Sequence, residues 1–176
     1  MRGYNVTIIS GLALGIDGLA HKAALKAGLK TLAVPGSGLD ATVLYPRSHL
    51  QLAEEIVRNG GALLSEFKPQ TQAATWTFPK RNRIMAGLSH AVLVIEAELK
   101  SGTLITSKLA TEYNRDVLTM PGSIFSSTSE GPHMLIKLGA TPVTASEDIL
   151  RTLGIEPPTN ESESRQQKLR GLTPDE

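Results

Sequence analysis

The chain has 176 residues, 40% of them hydrophobic and 20% charged, a balance that suits one globular domain with its own core and excludes a fibre or a wholly disordered chain. Its 18 Lys and Arg against 17 Asp and Glu leave a net charge of +1, so any anion binding has to come from local clusters rather than a global field. With no cysteine there is no disulfide framework and no thiolate chemistry, and no apolar run approaches the roughly 20 residues that span a bilayer.

The chain opens on "MRGYNVTIIS", which has no signal-peptide pattern, so a cytoplasmic protein is expected. From there short apolar or β-branched runs alternate with helix-like stretches, punctuated by Gly, Pro and Ser. Strands are predicted at Asn5 to Ser10, Thr31 to Pro35, Gly61 to Ser65, His90 to Glu96, Asp116 to Pro121 and Ala140 to Thr144. Several are apolar without alternation, as parallel strands covered on both faces should be. Helices are predicted over Leu12 to Ala27, Arg47 to Asn59, Lys80 to Leu88, Thr103 to Asn114, Gly131 to Leu138 and Ala145 to Leu153. The pattern predicts a three-layer α/β fold, doubly wound, with a mostly parallel Rossmann-like sheet over residues 1–154. Residues 155–176, polar and proline-bearing, read as a disordered tail or linker stub. A chain that opens on a strand with so short a lead-in is also expected to lack a preceding βα unit, leaving an open position in the sheet.

In open α/β sheets ligands gather where strands end and helices begin, because free helical N–H groups collect there. Four such turns stand out. The first, "SGLALGIDGLAHKAAL", runs from Ser10 and Gly11 to Asp17 and His21, four apart on one helix face; ligand contact competes with close glycine packing and a local Asp–His hydrogen bond. Two such residues do not make a metal site, and none is expected. The second, "PGSGLDATVLYPRSHL", carries Gly36, Ser37 and Gly38 in a long loop, but Ala41 stands where a dinucleotide fingerprint needs its third glycine, so no NAD-type cofactor is expected.

The third turn, "ELKSGTLITSKLA", sets Ser101, Gly102 and Thr103 at a helix start beside Lys100, a better anion site than a plain cap; it has no Walker A ending. The fourth, "TFPKRNRIMAGLS", packs Lys80, Arg81 and Arg83 around Asn82 at a helix start, with Lys80, Ile84 and Leu88 on one stripe. Cations there oppose the helix macrodipole at about 0.3 to 1 kcal/mol each and ask for a negative partner. Glu66 or Asp40 could serve, and the phosphates of a charge-dense polymer would serve better.

Taken together, "SGLALGIDGLAHKAAL", "GSGLDATVLYP", "GALLSEF", "FPKRNRIMAGLSHAVLVIEA", "SGTLITSKLA", "MPG" and "GPHMLIKLGA" resemble the DprA/Smf family of bacterial natural transformation, in the family's order, over about Val6 to Leu150. The resemblance implies an extended Rossmann domain that binds single-stranded DNA without catalysing a reaction, protects incoming DNA, forms homodimers and helps load the RecA recombinase. It also implies that Lys80, Arg81, Asn82 and Arg83 line a basic pocket. Lys80, Arg81 and Arg83 would hold phosphates there, while Asn82 and the Phe78-Pro79 pair position them or touch a base. Ser10, Gly11, Gly36, Ser37, Gly38, Ser101, Gly102 and Thr103 would be the surrounding phosphate-facing turns. Family members usually carry a further strand ending in a Gly-Ser-Arg turn before the position of Val6, and many carry helical and winged-helix domains, which are not expected within these 176 residues. In "EGPHML", Pro132 and His133 stand where many members show an Asn-containing turn.

Two other classes remain in view. Arg81 and "SGT" echo a related Rossmann family, the phosphoribohydrolases that cleave a base from nucleoside monophosphates. Thr106, however, stands where the catalytic glutamate belongs and cannot supply a carboxylate. A nucleotide-sensing interaction protein is the third.

Overall fold

In the computed structural model, which describes residues 1–156, strands and helices alternate as the sequence predicts. In chain order they are β1 (Thr7–Ser10), α1 (Ile16–Lys26), β2 (Lys30–Ala33), α2 (Leu50–Arg58), β3 (Ala62–Leu63) and α3 (Thr77–Leu88). There follow β4 (Ala91–Val94), α4 (Thr103–Glu112), β5 (Asp116–Thr119), α5 (Glu130–Lys137), β6 (Thr141–Pro142) and α6 (Ser146–Thr152). The disordered tail expected over 155–176 lies, from residue 157 onward, outside the described residues.

Every strand pair is parallel, with Thr7 opposite Lys30 and Ala91 opposite Asp116 at the starts of the two longest ladders. Parallel neighbours need crossover connections, and the helices supply them. α1 packs on β1 and β2, α2 on β2 and β3, and α4 on β4 and β5. The fold is α/β and Rossmann-like, with one correction to the expected single sheet. The six strands form two three-stranded sheets, β1-β2-β3 and β4-β5-β6, with no ladder between them among the described residues. Among the described residues β1, β3, β4 and β6 each keep an unpaired edge.

Each half has its own apolar centre. Leu12, Ala33, Leu44, Leu52, Ala53 and Ile56 fill the first, and Val94, Ala97 and Leu135 the second. α3 joins them: it packs along α4 and sends one side chain to the ends of β1 and β2. Helix α1 starts at Ile16 rather than at the expected Leu12. Leu12 itself adopts a left-handed backbone (φ 62°) and is fully buried. That conformation costs an L-residue on the order of 1–2 kcal/mol, and burial of its side chain together with a 2.8 Å hydrogen bond from His49 Nδ1 to its carbonyl offsets the cost.

Helix α3 shows a second departure. The stripe of Lys80, Ile84 and Leu88 does not anchor it, for Leu88 is 49% exposed and Lys80 is on the surface. The helix begins three residues earlier than expected, at Thr77, whose hydroxyl donates to the Ala74 carbonyl at 2.7 Å. Its buried residues are Thr77, Arg81, Asn82 and Ala86. Three of those four are polar, so a hydrophobicity pattern places the inward face wrongly; each of the three donates to a backbone carbonyl, Thr77 to Ala74, Arg81 to Gly11 and Val34, and Asn82 to Gly102.

Candidate functional site

Arg81 is only 5% exposed, and its guanidinium points away from solvent. Nη1 donates to the carbonyl of Gly11 at 2.6 Å and to that of Val34, at the C-terminal ends of β1 and β2. Nε donates to Asn82 Oδ1 at 3.1 Å, and Asn82 Nδ2 reaches the Gly102 carbonyl at 3.4 Å, just before α4. One chain of hydrogen bonds therefore ties the ends of β1 and β2 to the start of α4, through two adjacent residues of α3. Burial lowers the Arg81 pKa, while the carboxylate of Asp17 opposes the shift. The group keeps its charge, as an arginine does almost everywhere.

Gly11, Gly36 and Gly38 are explained by neighbouring protein atoms. A Cβ on Gly11 would lie 2.1 Å from Arg81 Nη1, one on Gly36 would lie 2.6 Å from the Phe78 ring, and one on Gly38 would lie 2.1 Å from the Pro69 carbonyl oxygen. Ser37 is fully buried; its hydroxyl donates to the Gly38 carbonyl at 3.0 Å and accepts from the Tyr45 amide at 3.2 Å. Ser10 Oγ donates to Asp17 Oδ1 at 2.8 Å, and Asp17 also accepts from the Ala13 amide.

His21 does not meet Asp17 as a local pair. Its Nδ1 lies 2.7 Å from Thr31 Oγ1, and the Thr31 hydroxyl spends its only proton on the Ile8 carbonyl at 2.8 Å. His21 Nδ1 must therefore carry the hydrogen, and Nε2 is buried with no hydrogen-bond partner among the described residues. Burial pushes the His21 pKa down to about 4, outweighing the upward pull of Asp17.

The third turn is open. Ser101 Oγ accepts from the Thr103 amide at 3.2 Å, while Gly102 is exposed and a Cβ there would meet nothing within 4 Å. The cations of α3 divide. Arg81 is spent on carbonyls, Arg83 pairs with Glu66 at the surface, and Lys80 is exposed with no carboxylate partner among the described residues. Asp40, the other sequence candidate for neutralising these cations, is engaged by Thr42, whose hydroxyl and amide hold its carboxyl below the usual range. Lys80 instead rests its ammonium 5.7 Å from the Phe67 ring centroid and 5.9 Å from that of Trp76, with the two rings edge to face.

The structure thus brings together Gly11, Arg81, Asn82 and Gly102 directly. Ser10 and Thr103 lie beside that chain of contacts, while the Ser37 hydroxyl faces inward onto its own loop and Gly38 packs against the loop of Lys68 to Thr71. Trp76 and Phe67 were passed over in the sequence. The available signal was one tryptophan in the polar run "KPQTQAATW", four residues before Lys80. Among the described residues no group of three or more His, Asp or Glu is placed to hold a metal ion, and no helix is long and apolar enough to cross a membrane.

These features define a Rossmann-like α/β protein in which strand-end turns from two half-sheets converge on a basic helix start. A sequence model of the DNA recombination-mediator protein A family matches residues 1–154, and the chain belongs to that family. It is 51% identical over 148 residues to Protein Smf of Escherichia coli K12, covering 84% of this chain and 39% of that protein. It is 48% identical over 145 residues to the DNA processing protein DprA of Streptococcus pneumoniae, covering 82% of this chain and 50% of that one. The chain therefore spans half or less of the length of these relatives. The crystal structure of the S. pneumoniae protein superposes with a TM-score of 0.76 at 46% identity, over 83% of this chain and 50% of that one. DNA processing protein A from Helicobacter pylori, whose structure describes a single-stranded DNA binding mode, superposes with a TM-score of 0.74 at 31% identity, over 84% of this chain and 65% of that one.

Proposed function

We propose that this chain is a non-catalytic single-stranded DNA-binding domain of a cytoplasmic protein of DNA uptake and natural transformation. In this reading it works as a homodimer that protects the incoming strand and passes it to the RecA recombinase. The observation that carries the DNA reading is Lys80, an exposed cation without a carboxylate partner among the described residues, set at a helix start where a positive charge is unfavourable without an anion. The open Gly102-Thr103 turn, tied to the same helix through Asn82, offers a neighbouring phosphate the Gly102 N–H, which has no acceptor among the described residues. The single-stranded DNA binding of the H. pylori relative supports the choice of ligand.

The four consecutive residues of the basic stretch divide their work in this reading. Lys80 and Arg83 hold phosphates, Arg83 by exchanging Glu66 for the strand. Arg81 and Asn82, being buried, set the spacing of the turns. Base cleavage is disfavoured, because Thr106 is buried on α4 and has no carboxylate to stabilise a cationic transition state.

The test is an anisotropy titration of labelled oligothymidine at two salt concentrations with wild type, Lys80→Ala and Arg83→Ala. Each phosphate contact removed should lower the log–log salt slope by about 0.7. Unchanged slopes, or equal affinity for duplex of the same length, would remove the proposal; free base released from AMP would replace it with the hydrolase.

A further inference from the structure

Trp76 is 57% exposed, although a large aromatic side chain gains most from burial. It belongs to neither apolar cluster, so it is not filling the core. Yet it is not loose. The Phe67 ring stands against it at 5.7 Å between centroids and 85° between planes, and Lys80 Nζ lies within 6 Å of both centroids. An edge-to-face partner fixes the orientation of the indole plane while leaving much of its area in water. A cation beside the ring places a phosphate-binding group within reach of whatever covers that plane. Trp76 caps α3 and Lys80 follows four residues later, so the helix's first turn holds ring and cation side by side.

We infer that Trp76, braced by Phe67, is a stacking platform for one base of the bound strand, with Lys80 on the adjoining phosphate. This inference rests on the single-stranded DNA reading above. Stacking on an aromatic face tolerates every base, which suits a protein that must accept DNA of any sequence, and it requires an unpaired base, which excludes intact duplex. Phosphate contacts alone provide neither the distinction from duplex nor a register along the strand.

The chain has one tryptophan, so its fluorescence reports this position and no other. The full chain is titrated with oligothymidine and with an abasic deoxyribose-phosphate strand of equal length, following both anisotropy and tryptophan emission. Oligothymidine is expected to quench Trp76, whereas the abasic strand binds with a similar salt slope and leaves the emission unchanged. Trp76→Ala should weaken oligothymidine binding by roughly 5- to 100-fold while changing abasic binding little, and Trp76→Phe should retain most of the affinity. Circular dichroism melting of both variants confirms that they are folded.

Oligothymidine binding without quenching overturns the inference and leaves the DNA reading standing, as does a Trp76→Ala variant that weakens both strands equally or neither. If wild type binds neither strand, the DNA reading fails first and takes the platform with it.

Discussion

Removing the Arg81 side chain separates a structural pin from a phosphate contact. In Arg81→Ala the carbonyls of Gly11 and Val34, both in buried residues, lose their donor, and Asn82 Oδ1 loses one as well. An orphaned buried acceptor costs about 1–3 kcal/mol, and breaking a buried charged network costs about 3–5 kcal/mol in all, partly offset because a cation no longer has to be desolvated. A loss of about 3 kcal/mol in urea unfolding is expected, a large fraction of ordinary domain stability. A second substitution makes the argument specific. Gly11 has no left-handed backbone, so alanine fits its conformation, but the new methyl would sit 2.1 Å from Arg81 Nη1 and 2.5 Å from Cζ. Gly11→Ala should therefore cost about 2 kcal/mol or more by overpacking, and under about 0.5 kcal/mol once Arg81 is alanine. Costs that add within about 0.5 kcal/mol would refute the contact. So would an Arg81→Ala variant that loses less than about 1 kcal/mol while its DNA salt slope falls by about 0.7, for Arg81 would then be reading phosphates.

Acid should destabilise the protein through His21. Its folded pKa of about 4 lies below the unfolded value near 6.5, so its contribution is complete above about pH 6.5 and is lost as the unfolded chain takes up a proton that the native state refuses. At about 1.4 kcal/mol per unit the full loss is about 3 kcal/mol, most of it by pH 4.5; urea midpoints of wild type and His21→Asn across that range should diverge, and parallel curves would refute the assignment. Gly38→Ala should destabilise by about 2 kcal/mol or more, since its Cβ meets backbone carbonyls of Lys68 and Pro69 that have little room to yield; a change under about 0.5 kcal/mol would show that the two loops can part. Glu66→Gln should cost under about 1 kcal/mol of stability, as exposed pairs do, while freeing Arg83 and tightening oligothymidine binding several-fold at low salt. Unchanged affinity in an anisotropy titration would mean that Arg83 stays off the strand.

The order of elements was legible because parallel strands are covered on both faces and so appear as short unbroken apolar runs, such as those realised at Ile8-Ile9, closed by Ser10-Gly11, and at Val92 to Val94, which ends at Glu96. Local chemistry also set several boundaries: α4 begins at Thr103, as its Ser-Gly-Thr start suggests, and β5 begins at Asp116. The start of α1 was misplaced because Leu12 is apolar and fits the helical period. Its left-handed backbone reflects the long-range contact with His49, 37 residues away. The interruption between the half-sheets was equally beyond a reading of single segments, since pairing between strands is a tertiary property.

The same division runs through the site. That Lys80, Arg81, Asn82 and Arg83 cluster at a helix start, near turns of small residues, follows from residue type and spacing alone. Their separate fates do not. Successive residues on a helix point about 100° apart, so Lys80, Arg81 and Arg83 spread over an arc of about 160°, and spacing alone does not decide whether one of them turns inward. Which one did so depends on where the carbonyls of Gly11 and Val34 come to rest, 70 and 47 residues away in sequence. A buried guanidinium is tolerable only where acceptors already converge on it, and that convergence exists only once β1, β2 and α3 have packed.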